Sequence, residues 1–227
     1  ASGKNIDIAA GVEFSSEYNG GELHILGLFI NPRYFSQISQ LMAEANKRKE
    51  MSNLQLIESL KRVGIVLDYD EIKNATPNGL VNRAHIAGVM MKKGYVDSLN
   101  EAFGKYLLPS CGYYKLPKRL TAGQIVDFIH SIGAVSVLAH PFLNLDEEGL
   151  LRFLSCDGKG LNGIECYYSE NDDETTAKSL RIADEFGLIP SGGSDFHGGR
   201  KPDITLGIGK GNLKIPYECY LRLKELI

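Results

Sequence analysis

Apolar and polar positions trade places with a strand-like rhythm near the start of the chain. Ile6, Ile8, Val12 and Phe14 form one run, and Leu23, Ile25, Leu26, Leu28 and Phe29 form a second. Between them lie Tyr18 and Asn19-Gly20-Gly21. Asn-Gly between two apolar runs predicts a hairpin, because both residues tolerate positive φ. From Asn31 the period lengthens to that of a helix. Phe35, Ile38, Leu41, Met42 and Ala45 share one face, and Leu56, Ile57, Leu60 and Val63 resume it before the stop at Gly64, with room for a break near Met51 to Asn53. Shorter helices are predicted at 69–75, 82–93 and 98–106, the last opened by a capping-box pattern of Ser98 and Glu101. Pro109, Gly112 and Pro117 then mark a loop.

After Thr121 the texture alternates. Helices are predicted at 121–132, 147–154, 173–186 and 216–226, and strands at 134–139, 163–168, 188–194 and 204–208. Such alternation predicts a parallel sheet or barrel with helices outside it. The runs Ala-Val-Ser-Val-Leu-Ala and Gly-Ile-Glu-Cys-Tyr-Tyr are apolar enough for strands covered on both faces. The expected organisation is an α/β core built from residues 1–30 and 121–227, interrupted by an all-helical insertion at about 31–120.

Composition narrows the function class. A formal charge of −3 over 227 residues argues against a nucleic-acid binder that relies on bulk positive charge. Any anionic substrate must then be met by metals or by a few placed cations. No apolar run approaches the roughly 20 residues that cross a membrane. Cys111, Cys156, Cys166 and Cys219 contain no C-x-x-C pair, which disfavours a zinc knuckle or redox motif and points to a reduced, cytoplasmic setting.

Only five histidines are available for chemistry. His140 ends one predicted strand, and Asp195 and His197 follow the glycine pair at the end of another; two residues apart on extended chain, they face the same way. A two-residue Asn19-Gly20 turn sets Ser15 opposite His24 and Glu13 opposite Leu26, making Glu13 and His24 diagonal neighbours on one face, whereas a three-residue turn sends His24 to the other face. Glu13, His24, His140, Asp195 and His197 thus form a candidate carboxylate and imidazole cluster for Mn²⁺, Fe²⁺ or Zn²⁺. Each residue alone is weak evidence, since a strand histidine is more often structural than a ligand. Glu17 and Glu22 read equally well as solvated strand charges, and His130, inside an amphipathic helix, reads as structural.

The segments around these residues carry a resemblance. Gly11-Val-Glu-Phe-Ser, Glu22-Leu-His-Ile-Leu-Gly-Leu-Phe, Val137-Leu-Ala-His-Pro, Gly163-Ile-Glu and Gly192-Gly-Ser-Asp-Phe-His-Gly resemble, in that order, motifs of the polymerase and histidinol phosphatase (PHP) phosphoesterases. Asn82-Arg-Ala-His-Ile-Ala and Lys93-Gly-Tyr-Val-Asp-Ser extend the resemblance through the helical stretch, toward the subgroup that hydrolyses nucleoside bisphosphates and oligonucleotide 5′ ends. It implies a distorted (β/α)7 barrel and a metal-dependent phosphoesterase. Glu13 would bridge two metals, His24 and His140 would complete one site, Asp195 would serve its neighbour and His197 a third; Glu13, His140 and Asp195 are the catalytic candidates. The family's opening H-x-H strand and later D-H motif are not in these residues. The resemblance therefore implies an N-terminally truncated barrel that holds one ion where the complete family site holds up to three, and whose catalysis is impaired.

Substrate contacts are expected from Arg83 and His85 at a helix start, from Lys115, Lys118 and Arg119 in the returning loop, and from Tyr168 at a strand end. The competing readings are a capping role for His85, a solvated basic loop and a structural tyrosine. The expected partner is a phosphorylated small molecule, a nucleotide or a short oligonucleotide. The rival reading is a catalytically silent module that binds a nucleotide or a partner protein.

Overall fold

The computed structural model describes residues 6–76 and 79–227, which divide into two compact units. One combines the chain up to Phe35 with Arg119–Ile227, and the other is Ser36–Lys118.

The first unit is built on β1 (Gly11–Tyr18) and β2 (Gly21–Leu28), an antiparallel hairpin in which Tyr18 pairs with Gly21. Asn19 and Gly20 between them have φ of 48° and 75°, the positive values that let a two-residue loop follow the twist of the strands. Phe14, Ser16, Leu23 and Ile25 are buried along one face of this hairpin, while Glu13, Ser15, Glu22 and His24 occupy the more open one. The alternation that forms the strands therefore also separates core from chemistry.

The helical unit takes most of α1 (Phe35–Lys61), then α2 (Tyr69–Asn74), α3 (Arg83–Lys92) and α4 (Leu99–Ala102), the last running into one π-helical turn at Phe103–Leu107. Its core is Leu56, Leu60, Ile72, Ile86, Met90 and Leu107, each at most 1% exposed. The pattern left room for a break near Met51 to Asn53, but α1 runs through it. The polar pair there has tertiary partners: Ser52 Oγ donates to the carbonyl of Lys115, and Asn53 Nδ2 to that of Val81. With those bonds made, neither side chain competes for the helix backbone. The box at Ser98 is half formed. Ser98 Oγ accepts from Glu101 N–H, but the Glu101 carboxylate takes the N–H of Asp97 instead.

Back in the first unit, α5 (Ala122–Ser131), β3 (Val135–Leu138), α6 (Glu147–Ser155), β4 (Gly163–Tyr168), α7 (Asp173–Glu185), β5 (Ile189–Gly193) and α8 (Tyr217–Lys224) come in order. The strands form one open sheet in the order β1-β2-β3-β4-β5, antiparallel across the first three and parallel across the last three. Where the resemblance implies a truncated barrel, the described strands form a mixed sheet that does not close, with β1 and β5 left as edges; among the described residues no strand joins them. The strand expected at 204–208 is absent as well. Gly207, Gly209 and Gly211 all have positive φ, and the chain curls into a turn held by one isolated bridge between Thr205 and Gly209.

The pairing of β4 with β5 is interrupted by a bulge. Glu165 pairs with Ser191 and Tyr167 with Gly192, which leaves Cys166 as the extra residue. One extra residue shifts the alternation by one, so Tyr168 comes round to the side of Glu165. At Gly192 the neighbouring strand comes very close: a Cβ would sit 2.6 Å from Tyr167 Cβ and 2.7 Å from its carbonyl oxygen.

Burial lifts the Cys166 thiol to about 12. We predict that thiol reagents at pH 8 modify exposed Cys156 but not Cys166 in the native protein. Because the folded state keeps the proton that the unfolded thiol loses near 9, this stabilisation is whole below pH 9 and disappears as pH climbs toward 12. Cys166→Ala should flatten that decline in urea titrations, and an unchanged decline would contradict the assignment.

Candidate functional site

The register set by the two-residue turn pairs Ser15 with His24 and Glu13 with Leu26. Glu13 and His24 are therefore diagonal neighbours on the open face, and their side chains meet, with Glu13 Oε1 2.6 Å from His24 Nδ1. The third member comes from the end of β3. His140 takes a left-handed backbone, φ 26° and ψ 58°, just before Pro141 starts a short 3-10 turn. Its Nε2 lies 3.1 Å from Glu13 Oε1 and 3.2 Å from His24 Nδ1. Its ring is buried, and Nδ1 has no hydrogen-bond partner among the described residues.

Electrostatics follow from this packing. Hydrogen bonds from His140 and then His24 hold the Glu13 carboxyl well below the usual range. Glu13, followed by Glu22, raises the His24 imidazole to about 9. Glu22 accepts from His24 Nε2 and pairs with Arg119 at 2.9 Å; the bond to His24, more than Ser15 or Arg119, lowers it to about 2.

The opposite wall comes from β4 and the end of β5. Asp195 also has a left-handed backbone, φ 52°. Its Oδ2 accepts from Tyr168 Oη at 3.1 Å and is in contact with the Lys201 ammonium. His197 Nδ1 lies 2.8 Å from the Asp195 carbonyl oxygen and 3.2 Å from Oδ1. Burial, then the Asp195 carboxylate, pushes the Tyr168 hydroxyl up. Between the two walls lies a cavity of about 320 Å³, whose lining includes Glu13, His24, His140, Asp195, His197 and Lys201.

One cavity thus receives all five candidate ligand residues, but only Glu13, His24 and His140 have donor atoms drawn into a single cluster among the described residues. Donors around one ion at about 2.1 Å lie roughly 3.0–3.4 Å from each other. The two contacts of His140 match that spacing, and the shorter Glu13–His24 contact is a charge-assisted hydrogen bond. Two imidazoles and one carboxylate are a donor set suited to a first-row divalent ion with open positions. The residues present fit a single cation.

The substrate candidates divide between the units. Arg119 and Tyr168 belong to the cavity-bearing unit, through Glu22 and Asp195 respectively. In the helical unit, Arg83 donates to the Leu107 carbonyl and lies 4.6 Å from the centre of the Tyr114 ring. His85 Nδ1 accepts the N–H of Asn82, closing a capping box, and Lys115 and Lys118 are exposed. His130 bridges Ser136 and Asn162 away from the cavity.

Glu22 is not a solvated strand charge. It lies two residues before His24 on one face, and that alternation was the available signal. Lys201 carried no signal, since only the 3-10 turn at Gly198–Arg200 folds it back onto Asp195.

No protein-family model matches the chain. It is 30% identical over 201 residues to the 5′-3′ exoribonuclease Rnm of Escherichia coli, covering 86% of this chain and 67% of that protein. It is also 30% identical over 203 residues to the 3′,5′-nucleoside bisphosphate phosphatase of Chromobacterium violaceum, covering 87% of this chain and 70% of that one. A structure from Bifidobacterium adolescentis, described as a metal-dependent phosphoesterase, superposes with a TM-score of 0.69 at 22% identity, over 95% of this chain and 75% of its own.

Proposed function

Because this chain belongs to the PHP family of metal-dependent phosphoesterases, we propose that it hydrolyses a phosphate monoester of a small nucleotide, such as a 3′,5′-nucleoside bisphosphate, or of an oligonucleotide 5′ end, with Glu13, His24 and His140 holding a divalent cation. The carrying observation is the convergence of one carboxylate oxygen and two imidazole nitrogens within 2.6–3.2 Å of each other on a cavity wall. A cation held there supplies Lewis acidity: it binds phosphate oxygens and lowers the pKa of water toward neutrality.

The protein's own groups do the rest. Glu22 keeps His24 turned toward Glu13 by accepting from its other nitrogen, and Arg119 keeps Glu22 in place. Across the cavity, Lys201 brings positive charge and His197 an imidazole to the side where a phosphate's remaining oxygens would lie. Asp195 orients both and is itself steadied by Tyr168. A cavity of about 320 Å³ is at the small end for ligand sites, which suits a phosphate with part of a ribose. An exoribonuclease and a nucleoside bisphosphate phosphatase among the relatives favour that substrate class. We read the cavity-bearing unit as the catalytic core and residues 36–118 as an insertion.

The chain supplied with Mn²⁺ should release inorganic phosphate from a 3′,5′-nucleoside bisphosphate or a 5′-phosphorylated oligoribonucleotide, and chelation should stop it. A protein with Mn²⁺ bound, as read by electron paramagnetic resonance, that releases no phosphate from either would overturn the reading. Nucleotide retention without turnover would instead favour a silent binding module, a reading to which the engagement of Asp195 by Lys201 also lends weight.

A further inference from the structure

We infer that Glu165 is a positioning residue for this site, fixing the turn that aims His140 at Glu13. The inference rests on the proposed metal site but is carried by separate geometry. Glu165 lies on β4 between the strand ends that carry His140 and Asp195, and is 4% exposed. Its Oε2 accepts the backbone N–H of His140 at 2.7 Å. That bond lands on a residue whose φ of 26° is costly for any side-chain-bearing amino acid. A left-handed histidine persists only where its surroundings hold it, and the carboxylate is the group that takes its N–H.

The other carboxylate oxygen faces the neighbouring strand end. A Cβ at Gly193 would lie 3.0 Å from Glu165 Oε1, so the glycine two residues before Asp195 leaves room for this carboxylate. One buried acid therefore lies against both strand ends that supply the cavity's far-separated donors. The β4 bulge brings Tyr168 to the same side, where its hydroxyl meets Asp195. Glu165 reaches His140 through the backbone N–H rather than through the ring, so it acts on the direction of the imidazole and not on its donor atom. Burial makes such a placement expensive for a charged group unless it is hydrogen-bonded, and the His140 N–H is the donor it meets.

The test compares Glu165→Gln, which keeps an acceptor oxygen at the same reach, with Glu165→Asp, which withdraws it by one methylene. Two readouts are taken: the His140 imidazole resonances by NMR without metal, and Mn²⁺ affinity by electron paramagnetic resonance. Asp should shift the His140 resonances and weaken Mn²⁺ binding roughly tenfold to a hundredfold, as losing a supporting partner of a ligand does. Gln should restore both to within about threefold of the parent affinity, a rescue that a mere packing role would not give. Gly193→Ala, which crowds Oε1 while leaving Glu165 in place, should move both readouts in the direction of Asp and serves if the Asp variant does not fold. His140 resonances and affinity unchanged in Asp or Gly193→Ala, or Gln no better than Asp, would overturn the inference. A parent chain that binds no Mn²⁺ would remove the metal reading alone, and the imidazole resonances would still decide the role of Glu165.

Discussion

Glu13→Gln should lower Mn²⁺ affinity and phosphate release by on the order of a hundredfold or more while leaving the circular dichroism spectrum unchanged. Glu13 Oε1 is the one atom in contact with both imidazoles of the cluster, 2.6 Å from His24 and 3.1 Å from His140. Glutamine keeps the shape but loses the charge, so the cluster keeps its two imidazoles and loses its one carboxylate donor. The metal-free variant gives an independent check. Glu13 is the largest influence raising His24 to about 9, so the His24 titration midpoint should fall when the carboxylate is removed. A variant that binds Mn²⁺ like the parent would show that the cluster is not the cation site.

Phe153→Ala should destabilise the sheet-bearing unit by about 3–5 kcal/mol. Phe153 is fully buried on α6, and its ring meets Tyr18 of β1 edge-to-face at 5.0 Å. The loop after α6 is fitted to that ring, since a Cβ at Gly158 would fall 2.8 Å from it. With both neighbours shaped to the aromatic, little can collapse into the space left by alanine. Urea titration should show a lower midpoint with an unchanged slope. A shift below about 1 kcal/mol would mean that the contact between α6 and the hairpin is not a packing contact of this kind.

These two expectations sit on different kinds of sequence signal. The hairpin register was legible because Asn19-Gly20 is a local feature: two residues that accept positive φ fix the loop length, and the loop length fixes which side chains share a face. Helices were legible from periodicity because a buried stripe is written into each segment. The order and mixed sense of the sheet were not, since which strands become neighbours depends on the whole assembly. The turn at 204–208 was missed because its apolar residues imitate a strand, while three positive-φ glycines override them. The continuity of α1 through Ser52 and Asn53 depended on carbonyls 63 and 28 residues away in sequence. Within the cavity, the strand-end residues stood out individually, but Lys201 and the backbone contact of Glu165 arise only once β4 and β5 lie side by side.

His140 and Asp195 share an unusual trait: among the described residues only four non-glycine positions have positive φ, and these two end the strands beside the cavity. Glycine would adopt either conformation with less effort. Selection for thermal endurance alone would thus drift toward glycine at both places and, by succeeding, strip the cavity of an imidazole and a carboxylate. Such a screen would reward the sturdier molecule while erasing the donors that set this fold apart from an inert scaffold.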